Sequence, residues 1–461
     1  MKTIKLIMVI FGLTQVFISC KKYIAVAPPK NLAELSRIFE TDQAAISAAS
    51  GVYAQMVAAS LTFCNGGITV YAGLSSDELQ NVSSSATVDA FKNNTLLADN
   101  PTILSTFWNN PYKNIFHINA VMEGLVNSKS LSRPVVKQLM AEMRYARAIH
   151  YFYMTNLFGD VPYIEHTDYE ANRVMPRTDR KRIIEKIIDE LLNSRNDWPY
   201  ADKPEISKNR PGLNAINALL ARAYLYQGNW NEAYHYASLV IESNKYQLEL
   251  PSSVFLSNSR ETIFSLMKPN ANTAEGASFI PSSATVRPNY VLSSFLINSF
   301  EPNDKRRSEW TKNNSVAWQN YVYPYKYRTR SGTTVTEHYV VQRLAELYLI
   351  RAEASAELDN LQMAIKDIDK IRGRAGLALI SETKPAISKR ELIQQIYRER
   401  QIEFFCEWGT RWLDLKRTGM ADEILGIEKH PNWQSYAKLY PIPLSEIRKN
   451  VFLTQNEGYF N

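Results

Sequence analysis

Cysteine, histidine and concentrated charge are all scarce in this chain, and each shortage removes a class of function. Three cysteines in 461 residues, Cys20, Cys64 and Cys406, are too few for a disulfide framework, and no Cys/His spacing suits zinc. The pair Cys64 and Cys406 leaves one bridge open. Six scattered histidines offer no proton relay. Lys and Arg outnumber Asp and Glu by 53 to 46, a dispersed surplus rather than the basic stripe that nucleic acid requires, so no nucleic-acid partner is expected. Gly-x-Ser-x-Gly elbows, phosphate loops and His-Glu-x-x-His helices are missing, which leaves no signature of an enzyme, a cofactor or a catalytic metal. Beyond residue 20 no apolar run reaches the roughly 20 residues that span a bilayer.

What is present begins at the amino terminus. Lys2 and Lys5 precede an uncharged apolar run, residues 6–18, too short for a membrane span and suited to the core of a secretory signal. It closes on Phe17-Ile18-Ser19-Cys20, which resembles the lipobox of bacterial lipoproteins, where a small residue precedes a cysteine that is lipidated and becomes residue one. The expectation is a signal peptide over residues 1–19 and a lipidated Cys20 heading a tether, residues 20–40, extended at Pro28-Pro29. Several acyl chains exceed the two signals that stable anchoring needs. An ordinary secretory leader with an incidental cysteine is the competing reading.

Helical periodicity starts near Thr41 or Asp42, either of which can cap a helix carrying Ala45, Ala49, Val52, Tyr53 and Met56 on one face. Residues 60–103, rich in Gly, Ser and Asn, lose that period and read as a long irregular stretch, the kind that in compact domains is usually functional. Helical patterning returns over residues 107–126 and 136–158, the second ended by Gly159 with Pro162 beyond. His150 lies on its apolar face and reads as a satisfied core histidine. Ala221, Tyr224, Gly228 and Ala233 match a tetratricopeptide-like pattern. Ala352, Asp359 and Ala364 repeat it at the same spacing. Two units are too few for a stack, so residues 107–126 and 136–157 are expected to supply a further pair.

Residues 250–335 change character to Pro, Ser, Asn and aromatics. The chain holds 26 Tyr and 8 Trp, more than a helical core requires, and Tyr290, Trp310, Trp318, Tyr321, Tyr323, Tyr325 and Tyr327 fall here. The alternation from Tyr321 to Tyr327 predicts an edge strand, since Pro324 keeps it from the centre of a sheet. Trp108, Trp230 and Trp412 sit in helical blocks and read as scaffold. Sugars ask for what this region holds: the C–H face of a pyranose packs on an aromatic plane, and its hydroxyls need amide, carboxylate or guanidinium partners in the ring plane. Trp310, Trp318, Tyr290 and Tyr321 with Arg287, Asn289, Asn313 and Gln319 supply both. Tyr71, Asp77, Glu78, Gln80 and Asn81 form a second candidate stretch. For any single aromatic, core packing competes equally.

Glu399, Glu403 and Glu407 recur every four residues and stack on one helix face. Such a row can bind metal or supply an acid/base pair. With no Glu-x-x-His partner, and with Arg398, Arg400 and Arg411 near in sequence, a structural ion network is the stronger reading. Arg343, Glu346, Arg351 and Glu353 likewise fall on one predicted helix, where charge pairs at i,i+3 and i,i+4 are normal.

Four blocks together resemble the SusD/RagB family. Residues 144–153 with Leu157-Phe-Gly-Asp-Val-Pro162 are similar to its arginine-aromatic helix and turn, and residues 343–354 followed by 371–377 resemble its Arg-Ala-Glu-Ala helix. Residues 399–415 are similar to its Glu-Arg…Arg-Trp-x-Asp-Leu block, and residues 439–443 with 455–459 to its closing signature. The resemblance implies a mostly α fold, with tetratricopeptide-like helix pairs as scaffold and long loops with minor β-strands as a ligand-binding face. Under it the chain divides into an N-terminal part, 41–249, a loop-rich binding region, 250–335, and a C-terminal part, 336–461. It further implies a binding protein rather than an enzyme: a lipid-anchored outer-membrane protein facing the cell surface that captures a glycan for a TonB-dependent, SusC-like transporter. Ligand contacts are expected among Tyr71, Asp77, Asn81, Arg287, Tyr290, Trp310, Trp318 and Tyr321, with Cys20 lipidated and no metal or cofactor. A peptide-capture member of the same family, or a structural periplasmic adaptor, remains open at this point.

Overall fold

The computed structural model describes residues 38–199 and 207–459. The signal peptide, Cys20 and nearly all of the tether, Pro28-Pro29 included, lie outside the described residues. Helices account for 55% and strands for 8%, so the architecture is mostly α. The main helices are α1 (Asp42–Met56), α2 (Gly67–Ser75), α3 (Asn110–Asn127), α4 (Arg133–Phe158), α5 (Arg180–Asp197), α6 (Leu213–Gln227), α7 (Trp230–Glu242), α8 (Leu344–Glu357), α9 (Leu361–Ala375), α10 (Lys389–Phe404) and α11 (Thr410–Arg417). Among the described residues no helix is long and apolar enough to cross a membrane.

Local chemistry places several helix ends. Thr41 caps α1, its hydroxyl accepting from the Ala44 amide at 3.3 Å, while Asp42 turns away to accept from the Ser132 amide. Gly159, at φ +75°, ends α4, and Ser388 with Glu391 forms a capping box on α10. The two repeat units share one device. Gly228 and Asp359 both stand at positive φ after the first helix of their pair, and the next residue in each, Asn229 or Asn360, caps the second helix. So short a connection forces the two helices antiparallel. Ala221, Ala233, Ala352 and Ala364, all fully buried, let them close together.

The pairs stack in chain order: α3 on α4, α4 on α5, α5 on α6, α6 on α7, α7 on α8 and α8 on α9, with α10 laid against the last two. The expected third pair therefore exists, and α5 with α6 extends the stack. One apolar core runs from Phe39 to Leu453, and a smaller one joins α8, α9 and α10. His150 is sealed in the larger core. Its Nδ1–H donates to the Ala146 carbonyl at 2.6 Å and its Nε2 accepts from Asn114 at 3.1 Å. Burial pushes its pKa down to about 4, so it is neutral. Cys64 and Cys406 are both free and buried; the bridge left open by the sequence is not formed.

Residues 60–103 are not the irregular stretch expected. They hold α2 and a shorter helix, Ala86–Lys92. Every residue of α2 is buried, so it carries no polar face and no period to detect. A Cβ on Gly67 would lie 2.5 Å from the Thr62 carbonyl, which is why glycine-rich sequence opens this helix.

Three two-stranded antiparallel sheets complete the fold: β1 (Leu79–Asn81) with β3 (Tyr290–Leu292), β2 (Thr262–Leu266) with β6 (Tyr339–Arg343), and β4 (Thr311–Val316) with β5 (Gln319–Pro324). β5 takes up the first part of the predicted aromatic edge strand, Tyr321 and Tyr323, but it ends at Pro324, so Tyr325 and Tyr327 lie beyond it.

Glu399, Glu403 and Glu407 are buried in an ion network, as expected, but their partners come from elsewhere in the chain. Arg306 binds Glu399 and Glu403 at 2.6 and 3.0 Å, Arg343 binds Glu403 and Glu407 at 2.5 and 2.9 Å, and Lys326 binds Glu407 at 2.5 Å. Arg372 reaches Glu399 and Arg374 reaches Glu403. Of the three neighbouring arginines, Arg400 instead holds Asp414 and Arg411 holds Asp77. The charges on and before α8 also pair across elements rather than along the helix: Glu346 with Arg222, Arg351 with Asp367 and Glu353 with Arg417.

Candidate functional site

The hairpin β4–β5 turns through Ala317-Trp318, both left-handed at φ +51° and +67°. A two-residue turn of type I′, which matches right-twisted strands, needs positive φ at both central positions and favours Asn-Gly. Here a bulky residue takes the second position, a conformation that costs on the order of 1–3 kcal/mol and collects at functional sites. The outcome is an indole standing wholly in solvent, 106% exposed. Among the described residues that ring makes no ring, cation–π or hydrogen-bond contact.

The rest of the face is built around the hairpin. The Asn314 amide, opposite Tyr321 in the ladder, donates to the Val286 carbonyl at 2.7 Å and ties β4 to the exposed segment 282–287. Arg287 in that segment is exposed. Tyr321 is half-buried, and its hydroxyl donates to Gln319 at 2.7 Å, which orients the phenol at the rim. Asn313, Gln319 and Asn320 stand exposed along the same hairpin. β3 also packs against β5, bringing Tyr290 and, across the β1–β3 ladder, Asn81 to the base of this face.

From Asn81 the surface continues into an open cleft of about 600 Å³ between the helix Ala86–Lys92 and the segment 93–101, lined by Asp89, Asn93, Thr95, Leu97 and Asp99. The Asn81 amide donates to Asp89 at 3.0 Å. Sequence reading missed this concavity; the asparagine run around Asn93 was its signal.

The structure therefore sorts the eight expected contact residues. Trp318, Tyr321 and Arg287 share one accessible face, and Asn81 and Tyr290 are paired beneath it. Four expectations are corrected, Tyr290 among them. Trp310 is fully buried, its indole N–H donating to the Pro251 carbonyl at 2.7 Å; a ring sealed among Phe255, Phe405 and Lys326 cannot stack on a ligand. Asp77 is buried and holds Arg411 through both carboxylate oxygens, at 2.9 and 2.7 Å. Tyr71 packs inward on Phe91 and Phe107, and burial raises its phenol pKa. Tyr290 is likewise mostly buried and its phenol raised, first by burial and then by Tyr71. Glu78 is sealed in as well. Burial, then Asp77, pushes its carboxyl up to about 8, so it is largely uncharged at neutral pH.

Comparison with known proteins covers most of the chain. The SusD family pattern matches residues 293–459, and a family described as starch-binding and associating with the outer membrane matches residues 44–225. SusD-like protein P2 of Formosa agariphila is 26% identical over 425 residues, spanning 80% of this chain and 83% of its own. Among solved structures, a SusD superfamily protein from Bacteroides vulgatus superposes with a TM-score of 0.79 at 19% identity, covering 91% of this chain and 99% of its own. A laminarin-binding SusD-like protein superposes with a TM-score of 0.73 at 22% identity, covering 91% and 100%.

Proposed function

The chain belongs to the SusD/RagB family, and from that premise we propose that it is a glycan-binding protein, anchored by lipid at Cys20 to the outer membrane and working with a TonB-dependent transporter. The observation that carries the reading is Trp318. A fully exposed indole on a left-handed hairpin turn serves no packing purpose and offers the flat apolar surface that a sugar ring needs. The names of similar proteins support the ligand class, since one family is described as starch-binding and one structural neighbour as laminarin-binding.

Stacking one pyranose face on Trp318 buries on the order of 100 Å² of apolar surface, worth roughly 2–3 kcal/mol. Amide groups of Asn313, Gln319 and Asn320 stand where ring hydroxyls would reach. Rigid aromatics lose little entropy on binding. The Trp318→Ala variant is expected to weaken polysaccharide binding by roughly 50-fold in isothermal titration, with an unfolding midpoint unchanged, because a ring in water contributes nothing to the folded state. Binding of unstructured peptides, with no response to any polysaccharide, would instead favour peptide capture.

Lipidation raises the concentration of this face near its transporter. Replacing Cys20 with Ala should move the protein from the membrane pellet to the soluble fraction of detergent-free lysates; retention in the pellet would remove the anchor from the proposal.

A further inference from the structure

The face around Trp318 is uncompensated in charge. The segments that build it, residues 276–300 and 311–336, contain no Asp or Glu at all, yet carry Arg287, Lys312, Lys326, Arg328 and Arg330. Two of the five are neutralised from outside, Lys326 by buried Glu407 and Arg328 by Glu309. The other three are exposed and face no carboxylate among the described residues. Lys312 has its ammonium over the Tyr325 ring at 4.7 Å. Arg330 is held by the Ala277 and Ile280 carbonyls at 2.7 and 3.1 Å, which fix its position without cancelling its charge.

Their placement follows the hairpin. Lys312 and Asn314 lie on the same side of β4, two residues and so about 7 Å apart. Asn314 is the residue that binds Val286, next to Arg287. Trp318 is four residues further along. Lys312 thus lies on the strand that leads to the indole and Arg287 lies beside that strand, within the reach of a few linked sugar rings. The neighbouring cleft differs, with Asp99 on its wall and Asp89 there paired with Lys92 at 3.2 Å.

We infer that the ligand is an anionic polysaccharide, one that stacks a ring on Trp318 and places carboxylate or sulfate groups against Arg287 and Lys312. This rests on the glycan-binding reading and narrows it. Arginine offers a planar fork to either anion. Because exposed pairs are screened by salt, charge recognition predicts a steep ionic-strength dependence that stacking alone does not.

The test uses the full chain with four probes: sodium polygalacturonate for carboxylate, κ-carrageenan for sulfate, and laminarin and soluble starch as neutral polymers. Titrations run at about 0.05 M and about 0.5 M NaCl, where the Debye length falls several-fold. At least one anionic polymer is expected to bind tighter than both neutral ones, and the two anions show which group is read. The double variant Arg287→Gln, Lys312→Gln should lose roughly tenfold in affinity for that polymer and most of its salt dependence, with its melting temperature unchanged. Trp318→Ala should lose affinity at both salt concentrations alike. Preference for laminarin or starch, or a double variant that binds the anion as wild type does, overturns the anionic ligand while leaving glycan binding intact. No binding to any of the four overturns both.

Discussion

Replacing Arg343 with Met is expected to remove about 3–5 kcal/mol of stability at neutral pH, the cost of breaking a buried pair from one side. All five guanidinium N–H donors are engaged: Nε and Nη2 on Glu407 at 2.9 Å each, Nη1 on Glu261 and Glu403 at 2.8 and 2.5 Å, and Nη2 also on the Glu403 carbonyl at 2.8 Å. The surroundings are balanced. Arg306, Lys326, Arg343, Arg372 and Arg374 face Asp304, Glu261, Glu399, Glu403 and Glu407, with all ten side chains nearly or wholly out of solvent. Methionine approximates the volume and removes the charge, leaving a carboxylate in the interior without its counterion.

The pH dependence separates this cause from lost packing. Burial alone would raise Glu403, but Arg374, Arg343 and Arg306 outweigh it and hold the carboxyl well below the usual range. A depressed carboxyl contributes stability above its unfolded pKa of about 4.3 and loses it as pH falls through the folded value. In the variant that lowering is weakened, so the deficit against wild type is largest near pH 7 and narrows in acid, where protons can neutralise the orphaned group. Urea unfolding followed by tryptophan fluorescence at several pH values measures both. Arg343→Lys keeps the charge without the fork and should fall between. A loss under about 1 kcal/mol at neutral pH would contradict the role assigned to the network.

The same network shows what could and could not be read from sequence. The row Glu399, Glu403, Glu407 was legible because helical spacing is local. Its partners were not, since Arg306 and Arg343 lie 93 and 60 residues away from Glu399 and Glu403 and no period connects them. The helix pairs were legible for the same reason: alanines at close approaches and the turn residues Gly228 and Asp359 are short-range signals. α2 was invisible because burial on every side erases amphipathic patterning. The binding face was legible as a region and not as residues. Trp310 and Trp318 stand eight positions apart in similar polar sequence, and only tertiary contacts distinguish the sealed ring from the free one.

That distinction gives the second large effect. Trp310→Ala is expected to cost about 3–5 kcal/mol, where Trp318→Ala costs nothing measurable. Deleting the indole opens a cavity against Phe255 and Phe405, whose ring centres lie 5.8 and 6.2 Å away. It orphans the Pro251 carbonyl, and it strips an aromatic face from Lys326, Arg374 and Arg343 at 4.5, 5.8 and 5.9 Å. The last loss links Trp310 to the ion network, since the ring lies against the cations that neutralise Glu403 and Glu407. Residues sharing such partners do not add independently. The double variant Trp310→Ala, Arg343→Met should therefore lose less than the sum of the two single losses, by at least about 0.5 kcal/mol. Trp310→Phe keeps a ring in place but not its N–H, and should cost about 1–3 kcal/mol through the unpaired carbonyl. Its folded fraction should bind polysaccharide within about twofold of wild type, because a sealed ring touches no ligand. A Trp310→Phe variant that folds normally yet loses binding in the manner of Trp318→Ala would return Trp310 to the binding face.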